Sequence, residues 1–286
     1  MNARKIWLCA DDYGLAPGIN SAIRKLLQRG RLNATSIMTA AHHLDGDEVT
    51  DLLLLNAGRK RALLGLHVTL TAPFKPRTQG FAPLQRGAFP SNVQMLQLGM
   101  RRKLDRSALV REIGAQIERY VQIFGRAPDY LDGHQHVHLF PVVRDAFLAA
   151  VKEKAPNAWI RQCGRPPGAR PVTDVKGLFL DLLSVRMRSK ARRLGIAFNP
   201  GFNGAYDFKP EADFSRLFPA FLRGMPDGGL VMCHPGFVDA ELKSLDTLTD
   251  LREREYAYLE SDTFPEVLQR SGYELADASG GAQTAA

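Results

Sequence analysis

The sequence has 286 residues, 45% of them hydrophobic, and a formal net charge of +8. This length and apolar content fit one large α/β domain better than two small ones, and the sequence contains no run of about 18 apolar residues that would indicate a transmembrane helix. The amino terminus enters a strand-like segment without the apolar region of a signal peptide, so we expect a soluble cytoplasmic protein.

Short strand-like runs alternate with helical patterns along most of the chain, and several runs are apolar on both faces, as buried parallel strands are. The predicted strands cover residues 5–10, 35–40, 63–70, 129–137, 158–163, 229–234 and 273–277. The predicted helices cover residues 18–30, 106–124, 141–154, 211–224 and 248–260. Asp105 is a candidate cap of the second helix. The alternation predicts a parallel sheet, either open or closed into a barrel.

Two segments interrupt this pattern and are predicted as loop insertions in a single domain of residues 1–278. They cover about residues 72–100, rich in Pro, Gly and Gln, and about residues 165–210. The second contains "RMRSKARR" at residues 186–193, followed by four aromatic residues between 198 and 208. It is either a solvated helix face or a lid that binds an anionic group on a substrate. Residues 279–286 are predicted to be a disordered tail.

Polar side chains concentrate where the predicted strands end. They are Asp11, Asp12, His67, Asp132, His134, His136, His138, Arg161 and His234. Five of the seven histidines belong to this set. Because the carboxyl ends of parallel strands converge on one rim, residues far apart in sequence are expected to meet there.

Each of these motifs also has a structural interpretation. Asp11 and Asp12 could form a turn and cap the next helix, and His67 and His234 could be core histidines with satisfied hydrogen bonds. The stretch "DGHQHVH" could be a fortuitous turn. If it stays extended, Asp132 and all three histidines share one face. If it enters a helix early, His134 and His138 pair at i, i+4, and either geometry can chelate a metal.

The residue types favour metal-assisted hydrolysis of an amide or ester. Two histidines and one carboxylate suit a divalent metal with open positions for water. One Asp of the adjacent pair would bind the metal while the other takes a proton from water. Strict alternation would send neighbouring Asp residues to opposite faces, so we expect the pair in the turn after the strand, with Gly14 providing the permissive backbone. His234 would protonate the leaving amine, and Arg161 would orient the base.

The motifs "ADDYG", "GLHVTLT", "LDGHQHVHLFP", "RQ" at 161–162 and "MCHPGF" resemble the YdjC-like carbohydrate deacetylases, a family that includes chitooligosaccharide deacetylases and hopanoid-associated HpnK-like proteins. The resemblance runs from about residue 5 to residue 240. It implies a distorted TIM-like (β/α) barrel of the glycoside hydrolase/deacetylase superfamily, and removal of acetyl from an N-acetylated amino sugar, free or lipid-linked. By motif position, it implies Asp12, His67 and His134 as ligands of one divalent metal. Members of the family are often treated as magnesium enzymes, whereas two imidazole ligands favour zinc or another transition metal, so the metal (Mg or Zn) stays open. We take His138 as the reserve ligand. Asp11 corresponds to the base and His234 to the acid.

Other functions remain as alternatives at this point. A metallophosphoesterase would need more bridging carboxylates than the sequence offers. A glycosidase needs two carboxylates about 5–10 Å apart, not adjacent ones. The basic charge would also suit a non-enzymatic binder of an anionic surface or nucleic acid, but no RNA-binding motif or zinc-finger spacing is present. We therefore expect no nucleic-acid partner, and leave open whether the chain forms a homodimer. Cys9, Cys163 and Cys233 are expected to be reduced and buried in strands.

Overall fold

The computed structural model describes residues 3–58, 60–166 and 175–280. Its strands are β1 Arg4–Tyr13, β2 Ala34–Ile37, β3 Leu63–Val68, β4 Tyr130–Gly133, β5 Trp159–Ile160, β6 Phe202–Asn203, β7 Gly229–Cys233 and β8 Tyr273–Leu275. Its α-helices are α1 Pro17–Gln28, α2 Gly46–Leu55, α3 Asn92–Met100, α4 Arg106–Phe124, α5 Val143–Lys154, α6 Val175–Leu194, α7 Phe214–Leu222, α8 Ala240–Leu245, α9 Asp250–Glu260 and α10 Thr263–Arg270. Short 3₁₀ segments cover His134–Leu139 and Ala278–Gly280.

The strands form one parallel sheet in the order β5-β4-β3-β2-β1-β7-β6, with β8 paired to the start of β1. The two edges of this sheet meet, because the Phe202 amide donates to the Gly164 carbonyl at 3.2 Å and Ile160 pairs with Phe198. The strands β1 to β7 therefore follow one another around a ring in chain order, with helices between them. The prediction of a distorted TIM-like (β/α) barrel is confirmed.

Each predicted strand overlaps an observed strand, but several observed strands are shorter than predicted. The fourth ends at Gly133 instead of continuing to residue 137, and the fifth is only two residues long. The sequence analysis missed β6, another two-residue strand. Strands this short carry too few residues to show an alternating pattern, and only their position between neighbours defines them.

Helix α4 has the predicted bounds, and the Asp105 side chain accepts from the Ser107 amide as its cap. The segments predicted as loops contain two helices. In the first, α3 begins with a capping box formed by Ser91 and Gln94. In the second, α6 occupies residues 175–194. Residues 167–174 of the second insertion and 281–286 of the predicted tail lie outside the described residues.

All three cysteines are free and buried. Cys9 and Cys233 lie in β1 and β7 as predicted, whereas Cys163 lies just beyond the end of β5. In the part of the chain described here, no helix combines the length and the apolar character needed to span a bilayer.

Candidate active site

The two adjacent carboxylates lie in a β-bulge. β1 continues through Tyr13, but its register with β2 shifts between Ala10 and Tyr13, and Asp12 has a φ of +71°. This corrects the expectation that the pair lies in the turn beyond the strand. The bulge interrupts the alternation of the strand, so that both carboxylates line the same cavity and both are only 2% exposed. Neither caps α1, which begins after Ala16 without a side-chain cap.

His67 reaches this carboxylate pair from β3. Its Nδ1 lies 2.5 Å from Asp132 Oδ1 on the paired residue of β4, and its Nε2 lies 3.5 Å from Asp12 Oδ1 and 3.9 Å from Asp11 Oδ2. Although burial acts in the opposite direction, Asp132 and Asp11 raise the pKa of His67 to about 10. The three carboxylates around His67 therefore favour a positive charge at this position.

The histidines of "DGHQHVH" adopt neither of the two predicted arrangements. After β4 the chain enters a short 3₁₀ segment in which Gln135 and His136 have φ values of +54° and +59°. His134 turns toward β1, and its Nδ1 lies 2.9 Å from Asp12 Oδ1. His138 turns the other way and its Nε2 bonds the Arg161 carbonyl at 2.9 Å. The left-handed backbone separates side chains that a regular strand or helix would have aligned.

Arg161 lies directly beneath the carboxylates and is fully buried. Its Nη1 and Nη2 donate to the two oxygens of Asp11 at 2.7 and 2.6 Å. Its Nη2 also lies 2.5 Å from Asp132 Oδ2 and donates to Ser36 Oγ at 3.0 Å. A buried guanidinium shared by two carboxylates fixes the orientation of both.

His234 follows β7 and lines the same cavity as the two aspartates. Its backbone amide donates to Glu255 Oε2, whereas its Nδ1 has no hydrogen-bond partner among the described residues. Burial lowers the pKa of His234 to about 4. The imidazole is therefore neutral near pH 7, with one ring nitrogen left for a ligand.

Two buried charged residues of α9 escaped the sequence analysis. Arg252 is 1% exposed, and its Nη2 donates to Asp12 Oδ2 at 2.7 Å and to Asp246 Oδ2 at 2.6 Å. Glu255 accepts from Tyr206 Oη at 2.6 Å in addition to the His234 amide. Burial raises the pKa of Glu255 to about 7 despite these bonds. One signal was available: Glu255 interrupts the i, i+4 series of Leu251 and Leu259 on the buried face of the helix.

Arg252 also affects the charge of Asp12. Burial alone would raise the pKa of this carboxyl, but the neighbouring Arg252 and His134 hold it well below its usual range. Asp12 is therefore ionised at neutral pH, with Oδ2 bound by Arg252 and Oδ1 directed toward the two histidines.

Two groups of side chains bring their donor atoms within 4.8 Å of one another: Asp12, His67 and His134, and Asp11, His67 and Asp132. The first group fits a divalent metal better. Its His67 has a carboxylate on the far ring nitrogen, which is the usual partner of a metal-binding histidine. In the second group Arg161 contacts both oxygens of Asp11. In the first group Arg252 holds only Oδ2 of Asp12, and Oδ1 stays directed toward the two histidines.

A cavity of about 360 Å³ opens above the first group. It is lined by Asp11, Asp12, His67, Asn92, His134, Gln135, His136, Phe208, Met232, His234, Asp246, Thr247, Leu248 and Arg252. Its size is in the range of small-molecule sites. Asn92 Oδ1 and Arg252 Nη1, like His234 Nδ1, lack a protein partner in the described part of the chain. All three atoms belong to residues that line the cavity, where a polar ligand would be their partner.

The model of the YdjC-like protein family matches residues 5–270. The chain belongs to the YdjC-like family. Its relatives include chitooligosaccharide deacetylases of Yersinia pestis bv. Antiqua (strain Angola), at 27% identity, and of Yersinia pseudotuberculosis serotype O:1b (strain IP 31758), at 26%. Each alignment covers 93% of this chain and 94% of the relative. The resemblance found in the sequence is thus confirmed.

The crystal structure of an Enterococcus faecalis V583 protein named for cellobiose-phosphate cleavage superposes with a TM-score of 0.74. That comparison covers 99% of this chain and 100% of the Enterococcus protein at 20% identity. It supports the fold of this YdjC-like protein from an experimental structure.

Proposed function

We propose that this YdjC-like protein is a metal-dependent carbohydrate deacetylase that removes acetyl from an N-acetylated amino sugar. The observation that carries the proposal is the cluster of Asp12, His67 and His134 at a cavity, with Asp11 beside it. Family membership and the names of the Yersinia relatives supply the substrate class.

In this proposal Asp12, His67 and His134 hold one divalent metal, for which two imidazoles and a carboxylate favour zinc or another transition metal over magnesium. When bound, the metal supplies Lewis acidity toward water and the acetyl carbonyl. Asp11 takes a proton from the attacking water through a lone pair that Arg161 does not use. Arg161 acts by holding this carboxylate in place.

His234 would supply a proton to the amine as the C–N bond breaks. It reaches the cavity from β7, whereas Asp11 and Asp12 belong to β1. Because burial lowers its pKa to about 4, the resting imidazole is neutral and has to take up a proton from solvent during turnover before it can donate one. Asp11 releases the proton of the attacking water to solvent after acetate has left. If His234 instead had to be protonated in the resting enzyme, kcat/KM would fall as the pH rises above about 4.

We expect His234→Ala to bind metal normally and to lose about 10²–10⁴-fold in kcat on an N-acetyl sugar. The loss should be much smaller on an activated acetyl ester such as 4-nitrophenyl acetate, because a phenolate leaves without a proton. Parallel kinetics on the two substrates, with metal content measured for each protein, test this role. Equal losses on both would mean that His234 positions the substrate or stabilises the oxyanion.

Arg252 would have two tasks: Nη2 holds Asp12, while Nη1 donates to an oxygen of the bound substrate. Arg252→Lys keeps a cation beside Asp12 but offers a single point charge in place of the two-nitrogen fork. We expect this variant to retain its metal and to lose about 10²-fold in kcat/KM, as other losses of an oxyanion donor do. Wild-type kcat/KM in Arg252→Lys would show that Nη1 does not contact the substrate.

The proposed activity is tested by measuring acetate release across a panel of N-acetylated sugars. The panel contains N-acetylglucosamine, N-acetylgalactosamine and chitooligosaccharides of increasing length, and the protein is used metal-free and reloaded with zinc or magnesium. We expect acetate only from the reloaded protein. Release of phosphate from a sugar phosphate, or of new reducing ends without acetate, would favour a phosphoesterase or a glycosidase instead.

A further inference from the structure

Exposed apolar side chains concentrate on α6. Of the ten large hydrophobic residues that are exposed in the described part of the chain, five belong to this one helix. They are Leu178 at 51%, Phe179 at 36%, Leu182 at 61%, Val185 at 54% and Leu194 at 41% exposure. Single exposed hydrophobic residues are common on protein surfaces, but a contiguous patch usually marks an interaction site.

The outer face of α6 has an apolar half and a basic half. Leu178, Leu182 and Val185 recur at i, i+4 and i+7 and therefore lie on one side of the helix. In the following two turns the same side carries Ser189 and the exposed arginines Arg186 and Arg193. The opposite side packs into the protein through Leu180, Leu183, Met187 and Ala191.

Among residues 3–58, 60–166 and 175–280, no acidic side chain pairs with Arg186 or Arg193. Asp181 is the one acid in α6, and it pairs with Arg165, whose Nη2 lies 2.6 Å from its Oδ2. Lys190 pairs with Asp145 at the side of the helix, and Arg192 lies over the Phe198 ring at 5.0 Å. None of the basic residues of 186–193 lines the active-site cavity. The basic part of the lid that the sequence suggested therefore does not line the cavity, whereas Phe208 of its aromatic part does.

We propose that the outer face of α6 docks the protein on a membrane surface rich in anionic phospholipid. The apolar half would enter the boundary between headgroups and acyl chains, and Arg186 and Arg193 would contact the phosphates. Helices that combine an exposed apolar face with basic residues bind bilayers in this way, and the net charge of +8 adds long-range attraction.

A bilayer matches this face better than other partners do. If two copies paired through the full length of α6, an antiparallel contact would set arginines against the apolar half, and a parallel contact would set arginines against arginines. Nucleic acid would match the arginines but would leave Leu178, Leu182 and Val185 unburied. Of these three partners, the anionic bilayer alone offers both an apolar region and negative charge.

Co-sedimentation with vesicles tests the proposal in the full-length protein. Vesicles of phosphatidylcholine with phosphatidylglycerol are compared with vesicles of phosphatidylcholine alone, at low and high salt. We expect the wild type to bind the anionic vesicles and to dissociate as salt rises.

The variants test which half of the face contributes to binding. Leu178→Asp/Leu182→Asp should weaken binding by tenfold or more, since two inserted side chains are lost. Arg186→Gln and Arg193→Gln should each weaken it by about fivefold.

Leu54→Asp on α2 is the matched control, because Leu54 is 65% exposed and lies off this face. It should bind vesicles like the wild type. The proposal is overturned if the folded wild type does not bind anionic vesicles, or if Leu54→Asp loses as much binding as the α6 variant. It is also overturned if sedimentation shows a dimer that Leu178→Asp/Leu182→Asp dissociates, or DNA binding that only the arginine variants lose. Acetate release from soluble sugars tests the catalytic proposal separately.

Discussion

His134→Ala is expected to remove the bound metal and to lower deacetylase activity below detection. His134 provides one of the two imidazoles of the cluster, and its Nδ1 lies 2.9 Å from Asp12 Oδ1. A carboxylate and one histidine leave too few ligands for a tight site. The side chain lies at the end of a strand, beside the cavity, so the fold should survive. Metal content after loading and dialysis, and the unfolding temperature of the metal-free proteins, measure the two effects separately.

His136→Ala provides a matched control two residues away. His136 lines the same cavity, but its Nδ1 lies 3.5 Å from Cys163 Sγ and its ring packs edge-on against Phe202. We expect His136→Ala to retain the metal. If His134→Ala kept full metal occupancy, and His136→Ala lost it, the ligand assignment would be wrong.

Asp11→Asn is expected to keep the metal and to lose about 10²–10⁴-fold in kcat, the usual contribution of a general base. The substitution preserves the shape of the side chain. Arg161 would keep its contact with Asp132 Oδ2, although the loss of one buried carboxylate will also lower stability. Activity therefore has to be measured at saturating metal and well below the unfolding temperature.

Asp12→Asn is the matched comparison for Asp11→Asn, because it also replaces a carboxylate by an amide, one residue further along the chain. We expect it to lose the metal, because Asp12 directs Oδ1 toward both histidines of the cluster. Loss of metal in Asp11→Asn with retention in Asp12→Asn would show that the two aspartates have exchanged roles. Loss of metal in both would indicate that Asp11 is also a ligand.

The fold class followed from features that are local in sequence. Apolar runs alternating with helical patterns fix a parallel α/β architecture, because each run can bury both faces only between helices. The long periodic pattern of α4 even gave its bounds. By contrast, α3 was mistaken for a loop. α6 lies in a segment predicted as a loop insertion, in which a helix face was only one of two interpretations of residues 186–193. Exposed hydrophobic residues on α6 blur the difference between its two faces, so its sequence shows no clear amphipathic period.

At the candidate site, too, the sequence determined some features and the tertiary structure decided others. The sequence by itself identified the polar residues at strand ends, because the carboxyl ends of parallel strands must share one rim. Only the tertiary structure decided which of them meet. The bulge at Asp12 and the left-handed turn at Gln135 and His136 direct side chains against the regular periodicity, so His134 joins Asp12 while His138 does not. Arg252 reaches Asp12 across 240 residues of sequence. A contact of that range depends on how α9 packs against the barrel, and no local pattern encodes it.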